Sequence, residues 1–131
     1  MSSVSLENIN KSFGNIEALS NLNLHIKDGE FFVLLGPTGA GKTTTLRIIS
    51  GLEKPDSGKI MFNDEIINEV QPAFRDTSYV FQQYSLYPHY SVYENLAFPL
   101  RSPLRKLDNN KIDTKVREIA KLLKIENKLK N

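Results

Sequence analysis

The run Gly36-Pro37-Thr38-Gly39-Ala40-Gly41-Lys42-Thr43 fits the pattern G-x-x-x-x-G-K-[ST] at every fixed position. Each fixed residue type has a reason to stand there if the loop holds a triphosphate. Glycines at 36, 39 and 41 permit backbone angles that a side chain would forbid, so successive N–H groups can turn inward as an anion nest. Pro37, Thr38 and Ala40 fill the variable positions between them. Lys42 adds a positive charge able to reach β and γ oxygens, and the Thr43 hydroxyl is placed to ligate Mg2+. A helix opening here directs its partial positive charge at the same phosphates. Thr43-Thr44-Thr45 puts three β-branched residues into a first helical turn, where propensity disfavours them. The competing account, a glycine-rich turn with a solvated lysine, leaves that departure from local preference unexplained.

A phosphate loop leaves small GTPases, nucleotide kinases, helicases and transport motors open. A guanine reader of the Asn-Lys-x-Asp kind is missing, because Asn127-Lys128-Leu129-Lys130 lacks the acid. The nearest imitation of a strand-ending magnesium carboxylate is Asp64 in Ile60-Met61-Phe62-Asn63-Asp64, and Asn63-Asp64-Glu65 reads better as a turn. All five tyrosines (Tyr79, Tyr84, Tyr87, Tyr90 and Tyr93) fall between 79 and 93, and no lysine or arginine lies between Arg75 and Arg101. Rings that stack on bases need cations beside them for the backbone phosphates, so nucleic acid is a poor partner for this stretch. Uncharged and tyrosine-rich, it has the composition of a protein–protein interface core, with internal packing as the alternative.

These groups need a scaffold, and 131 residues with 40% apolar and 24% charged residues suffice for one ordinary globular domain. The absence of cysteine excludes disulfide frameworks, zinc ribbons and thiol chemistry. The longest apolar run, Phe31 to Leu35, is far below the roughly 20 residues that span a bilayer. No secretory signal opens the chain, and a cytoplasmic location is expected. Residues 1–100 carry 7 basic and 11 acidic side chains, whereas 101–131 carry 10 and 4. The basic tail places Ile112, Val116, Ile119, Ala120 and Leu123 at helical spacing over Lys111 to Lys124, an amphipathic surface helix whose lysines face solvent.

Upstream, Val4, Leu6, Leu22, Leu24 and Ile26 alternate with polar residues as half-buried antiparallel strands do. Phe31 to Leu35 does not alternate, which suits a strand covered on both faces, and it leads directly into the loop. Thr44 to Ser50 follows as helix with Gly51 as its left-handed cap. Further strands are expected near Lys59 to Phe62 and Ser78 to Phe81. Ser91-Val92-Tyr93-Glu94 is a capping box for a helix running toward Phe98 and stopped by Pro99.

With Gly36 to Thr44, the segments Tyr79 to His89 and Ser91 to Leu96 resemble the N-terminal half of an ABC-transporter ATPase subunit, most closely the carbohydrate-importer group of maltose-transporter type. The resemblance implies an α/β fold, a P-loop NTPase of ABC ATPase type, partial, with an N-terminal antiparallel β subdomain and the start of a helical subdomain. It divides the chain into antiparallel strands (1–30), phosphate-loop core to glutamine loop (31–82), and start of the helical subdomain (83–131). ATP and Mg2+ are the implied ligands, bound by Gly36, Pro37, Thr38, Gly39, Ala40, Gly41, Lys42, Thr43 and Thr44. Phe13 falls at the position that stacks on adenine. Gln82 matches the glutamine whose oxygen approaches Mg2+ and the attacking water. The region Tyr84 to Tyr93 resembles the surface that receives a coupling helix of the transmembrane permease, and His89 within it is not the family's switch histidine.

The resemblance further implies a homodimer with a second ATPase subunit, peripheral placement on the inner face of the cell membrane, and uptake of a sugar or polyol. The family's signature, second magnesium Asp, catalytic Glu and switch His have no counterpart before Asn131. A truncated portion that binds Mg-ATP weakly and turns over slowly is therefore expected, with its most apolar strand left unpaired and prone to self-association. Two rivals stay open: a small-molecule kinase, with Arg101 and Arg105 as lid candidates, and a non-catalytic module ordered by nucleotide.

Overall fold

In the computed structural model, which describes residues 2–83 and 85–131, the two alternating segments pair with each other. β1 (Val4–Phe13) and β2 (Ile16–Ile26) form an antiparallel hairpin with Leu6 opposite Leu24 and Lys11 opposite Leu19. The other edge of β1 takes β3 (Ser57–Phe62), with Leu6 opposite Ile60, and β3 takes the short β4 (Glu65–Ile66). The order is β2-β1-β3-β4. Asn63 and Asp64 link the last pair with φ of 48° and 68°, the left-handed geometry of a two-residue hairpin turn. Asp64 therefore sits in a turn and does not end a strand.

Helix α1 (Lys42–Ser50) covers this sheet and stops where Gly51 takes φ 79° and donates its N–H to Ile48. Its buried face joins Ile48 to Leu6, Ile9, Leu19, Ile60 and Ile67 in one core, each fully buried aliphatic contributing about 1.5–3 kcal/mol. The sequence offers no hint of what holds the far end of α1. The Arg75 guanidinium, nearly buried, donates to the carbonyls of Ile48 (2.9 Å), Ile49 (3.0 Å), Val70 (2.8 Å) and Ile67 (3.0 Å). A cation set on helix C-terminal carbonyls satisfies groups the helix itself cannot.

Two expected strands do not form. Phe31 to Leu35 and Ser78 to Phe81 make no ladder with any described residue. Phe31 and Leu35 are 92% and 85% exposed, the reverse of the doubly covered strand their composition predicts. The reason is pairing: a central strand owes its burial to neighbours on both sides, and the described strands are engaged in the antiparallel sheet.

Residues up to Val80 form one compact unit and those from Phe81 onward a second. In the second, Ser91 caps α2 (Val92–Ala97): its Oγ accepts the Glu94 N–H at 3.2 Å while Glu94 Oε2 accepts the Ser91 N–H at 2.8 Å. A 3-10 turn containing Pro99 ends it. Asp108 Oδ1 accepts the Lys111 N–H at 2.8 Å and starts α3 (Asn109–Leu122). Ala97, Ile112, Val116, Ala120 and Leu129 make the core. Ile119 and Leu123 are exposed, so the apolar stripe is narrower than the spacing predicts.

Candidate nucleotide site

The loop from Gly36 to Ala40 lies open to solvent and meets the sheet at Gly41. There φ is 78°, and a Cβ would stand 2.5 Å from Leu19 Cδ2 and 2.6 Å from the Ala18 carbonyl. Only glycine lets the backbone turn into α1 this close to β2. Gly41 is also the N-cap residue and has no side chain to offer, so no cap side chain takes the first-turn N–H groups of α1. Those donors, with the helix dipole behind them, face outward as an anion site does.

Lys42 reaches back across the loop, its Nζ donating to the carbonyls of Gly36 and Pro37, each at 2.7 Å. The ammonium thus already lies over the loop that a phosphate would occupy. Gly36 packs close, a Cβ there meeting the Ala40 Cβ at 3.1 Å, and the Ala40 N–H returns to the Pro37 carbonyl at 3.2 Å. Pro37, Thr38 and Gly39 form the exposed crest, Gly39 with φ 87°. The three threonines separate by role. Thr43 is exposed in the first turn and Thr44 half-buried. Thr45 is buried, and its hydroxyl donates to the Gly41 carbonyl at 3.0 Å. Packing and an internal hydrogen bond thus account for Thr45, leaving Thr43 as the outward hydroxyl.

Phe13 ends β1, where it pairs with Ile16. Leu19, whose side chain abuts Gly41, pairs with Lys11. Phe13 is therefore two residues, about 7 Å along the strand, from the pair that touches the loop. Its ring is half exposed. Lys11 beside it is held by Glu53 at 2.8 Å and Asp56 at 3.4 Å. The hydrogen bond to Glu53 leads in raising the Lys11 pKa, and the same bond leads in lowering that of Glu53. The Ser12 N–H is the first cause of the lowered Asp56 pKa.

Gln82 lies in the second unit, exposed in a bend. Hard oxygen donors are what Mg2+ takes, and the Thr43 hydroxyl and Gln82 amide qualify. Among the described residues no group of three His, Cys, Asp or Glu gathers to hold a metal unaided.

Tyr84 lies outside the described residues. Tyr87, Tyr90 and Phe98 cluster, with Tyr87 centred 5.3 Å from Tyr90 and 4.6 Å from Phe98, and all three stay partly open. Asn95 pins the segment beneath them: its Oδ1 accepts the Tyr87 N–H at 2.8 Å, and its Nδ2 donates to the carbonyls of Tyr87 and Tyr90. No local signal marks an Asn inside a helix for that task. Tyr93 turns inward, and burial followed by Asp113 raises its pKa. His89 is exposed and joins none of these hydrogen bonds.

The ABC transporter family profile matches residues 19–131. The chain is 49% identical over 129 residues to a trehalose/maltose import ATP-binding protein of Thermococcus litoralis, covering 94% of this chain and 34% of that protein. It is 48% identical over 127 residues to an sn-glycerol-3-phosphate import ATP-binding protein of Brucella abortus, covering 96% and 36%. It thus spans about a third of the length of these relatives. A solved dimeric ATP-binding cassette in a post-hydrolysis state, bound to ADP and phosphate, superposes with TM-score 0.81 at 32% identity, covering 98% of this chain and 60% of that one.

Proposed function

This chain belongs to the ABC transporter family, and from that premise we propose that it is the ATP-binding part of an importer motor subunit, coupling ATP binding and hydrolysis to uptake of a sugar or polyol. One observation carries the reading: Gly41 turns a glycine-rich loop into the uncapped start of α1, with Lys42 already lying across the loop. The β and γ phosphates replace the Gly36 and Pro37 carbonyls as partners of Lys42, while the amides of residues 39 to 41 and the first turn through Thr44 take the remaining oxygens. Adenine stacks on Phe13. Thr43 would hold Mg2+, which would neutralise charge on the phosphate oxygens. The family resemblance assigns Gln82, in the second unit, to the same ion and to the attacking water.

The similarity to trehalose/maltose and glycerol-phosphate import proteins supports the solute class. The Tyr84 to Tyr93 region, whose Tyr87 and Tyr90 stay partly open beside Phe98, receives the permease, and a second ATPase subunit completes the site, as the dimeric cassette supports. The subunit works at the inner face of the cell membrane. Among the described residues no helix is long and apolar enough to cross one.

Calorimetric titration of the 131-residue chain with Mg-ATP tests the central step. Wild type is expected to bind saturably. Lys42→Ala should bind at least about tenfold more weakly, the worth of a charge-assisted phosphate contact. Equal binding by both would refute the site.

A further inference from the structure

Lys11 Nζ lies 5.0 Å from the centroid of the Phe13 ring, within cation–π range. The ammonium is fixed from elsewhere: Glu53 Oε1 stands at 2.8 Å and Asp56 Oδ1 at 3.4 Å, and Asp56 Oδ2 accepts the Ser12 N–H at 2.7 Å. The Lys11 side chain keeps 12% of its accessible surface while Phe13 keeps 47%. The cation lies over one face of the ring, and about half of Phe13 stays open to solvent.

We propose that Lys11 is the positioning residue of the base platform, holding the Phe13 ring in place and drawing its π density inward so that the open face favours an electron-rich purine. The inference rests on the reading of Phe13 as that platform. Two physical effects act together. A ring pinned before binding loses less freedom when a base stacks on it, and a ring with a cation behind it offers a less negative outer face to the π cloud of a purine. The anchors add a third. Glu53 and Asp56 follow α1 in sequence, so the ion pairs tie the platform to the helix whose first turn forms the phosphate site, fixing the spacing between base and phosphates.

The test compares Mg-ATP with Mg-tripolyphosphate, which has the phosphates without the base, by calorimetry on the 131-residue chain. Phe13→Ala examines the platform and should weaken ATP about fivefold or more while leaving tripolyphosphate unchanged. Lys11→Met examines the support: ATP should weaken about two- to fivefold with tripolyphosphate unchanged. Lys11→Arg, which keeps a cation, should restore ATP binding, and Lys11→Met should add nothing on top of Phe13→Ala. If Phe13→Ala shows the selective loss but Lys11→Met keeps wild-type ATP affinity, or weakens both ligands alike, the positioning role is overturned and the platform stands. If Phe13→Ala leaves ATP affinity unchanged, the platform falls and the inference with it. Should Lys11→Met fail to fold, Glu53→Gln decides: it keeps the ammonium but loosens its anchor, and only a loss confined to ATP supports the role.

Discussion

Gly41 carries two constraints that the motif alone does not separate. Its φ of 78° excludes a side chain on conformational grounds, and the Ala18 carbonyl 2.6 Å from a would-be Cβ excludes it on steric grounds. Gly41→Ala is therefore expected to cost at least about 2 kcal/mol, the left-handed penalty plus displacement of β2, read as a lower urea midpoint, and to abolish Mg-ATP binding because the loop must re-form. An unchanged midpoint would mean that the loop tolerates a different path. Arg75 makes a contrasting case. Burial lowers its pKa, yet an arginine remains charged at any ordinary pH, and its donors meet only carbonyl groups among the contacts described above. Arg75→Met would leave several buried carbonyls unsatisfied at about 1–3 kcal/mol each. Thermal melting should fall steeply, with no rescue between pH 5 and 9 since no titration is involved.

At the scale of elements, α2 stands on its capping box. The Ser91 N–H, then the Ser91 hydroxyl, holds the Glu94 carboxyl below its ordinary value of 4.5, and the Lys111 N–H does the same for Asp108 below 3.8. A lowered carboxyl pKa stabilises the fold above the unfolded value, and the benefit is lost as pH falls through the folded one. Helicity of the wild type should thus decline as pH drops below about 4.5, and Glu94→Gln should flatten the part of that decline due to α2. Ser91→Ala should cost about 1 kcal/mol at neutral pH; helix melting that does not shift would show that tertiary packing alone holds α2. The boundaries of this helix could be read from Ser91, Glu94 and Pro99, and that of α1 from Gly51, because caps and breakers act within a few residues. The hairpin of β1 and β2 was legible for a similar reason, its alternation being local. Phe31 to Leu35 misled because a run of apolar residues records the need for burial without recording what supplies it. Arg75, Asn95 and the Lys11 cluster left no trace, since their partners lie in sequence neighbourhoods that no periodicity connects. The phosphate loop was fully visible as a pattern, but the approach of Gly41 to Ala18 and Leu19 was not.

For the whole molecule, a run that pairs with no described residue leads to a prediction of association. Phe31, Val33, Leu35 and Val80 are 92%, 55%, 85% and 90% exposed, and the backbone of 31–35 makes no ladder with any described residue. Such a stretch is a template for another strand. The chain spans about a third of the length of the trehalose/maltose and glycerol-phosphate relatives. A second copy of the 131-residue chain can supply such a strand in solution. Sedimentation velocity should therefore show concentration-dependent association, and Phe31→Glu with Val33→Glu should shift the chain toward monomer by placing like charges on the pairing edge. Because these positions precede the loop and touch none of its hydrogen bonds, Mg-ATP affinity should be retained in the double variant. A monomer at every concentration in the wild type would sink the idea, showing that the segment is covered within its own chain and that its composition serves folding without a partner.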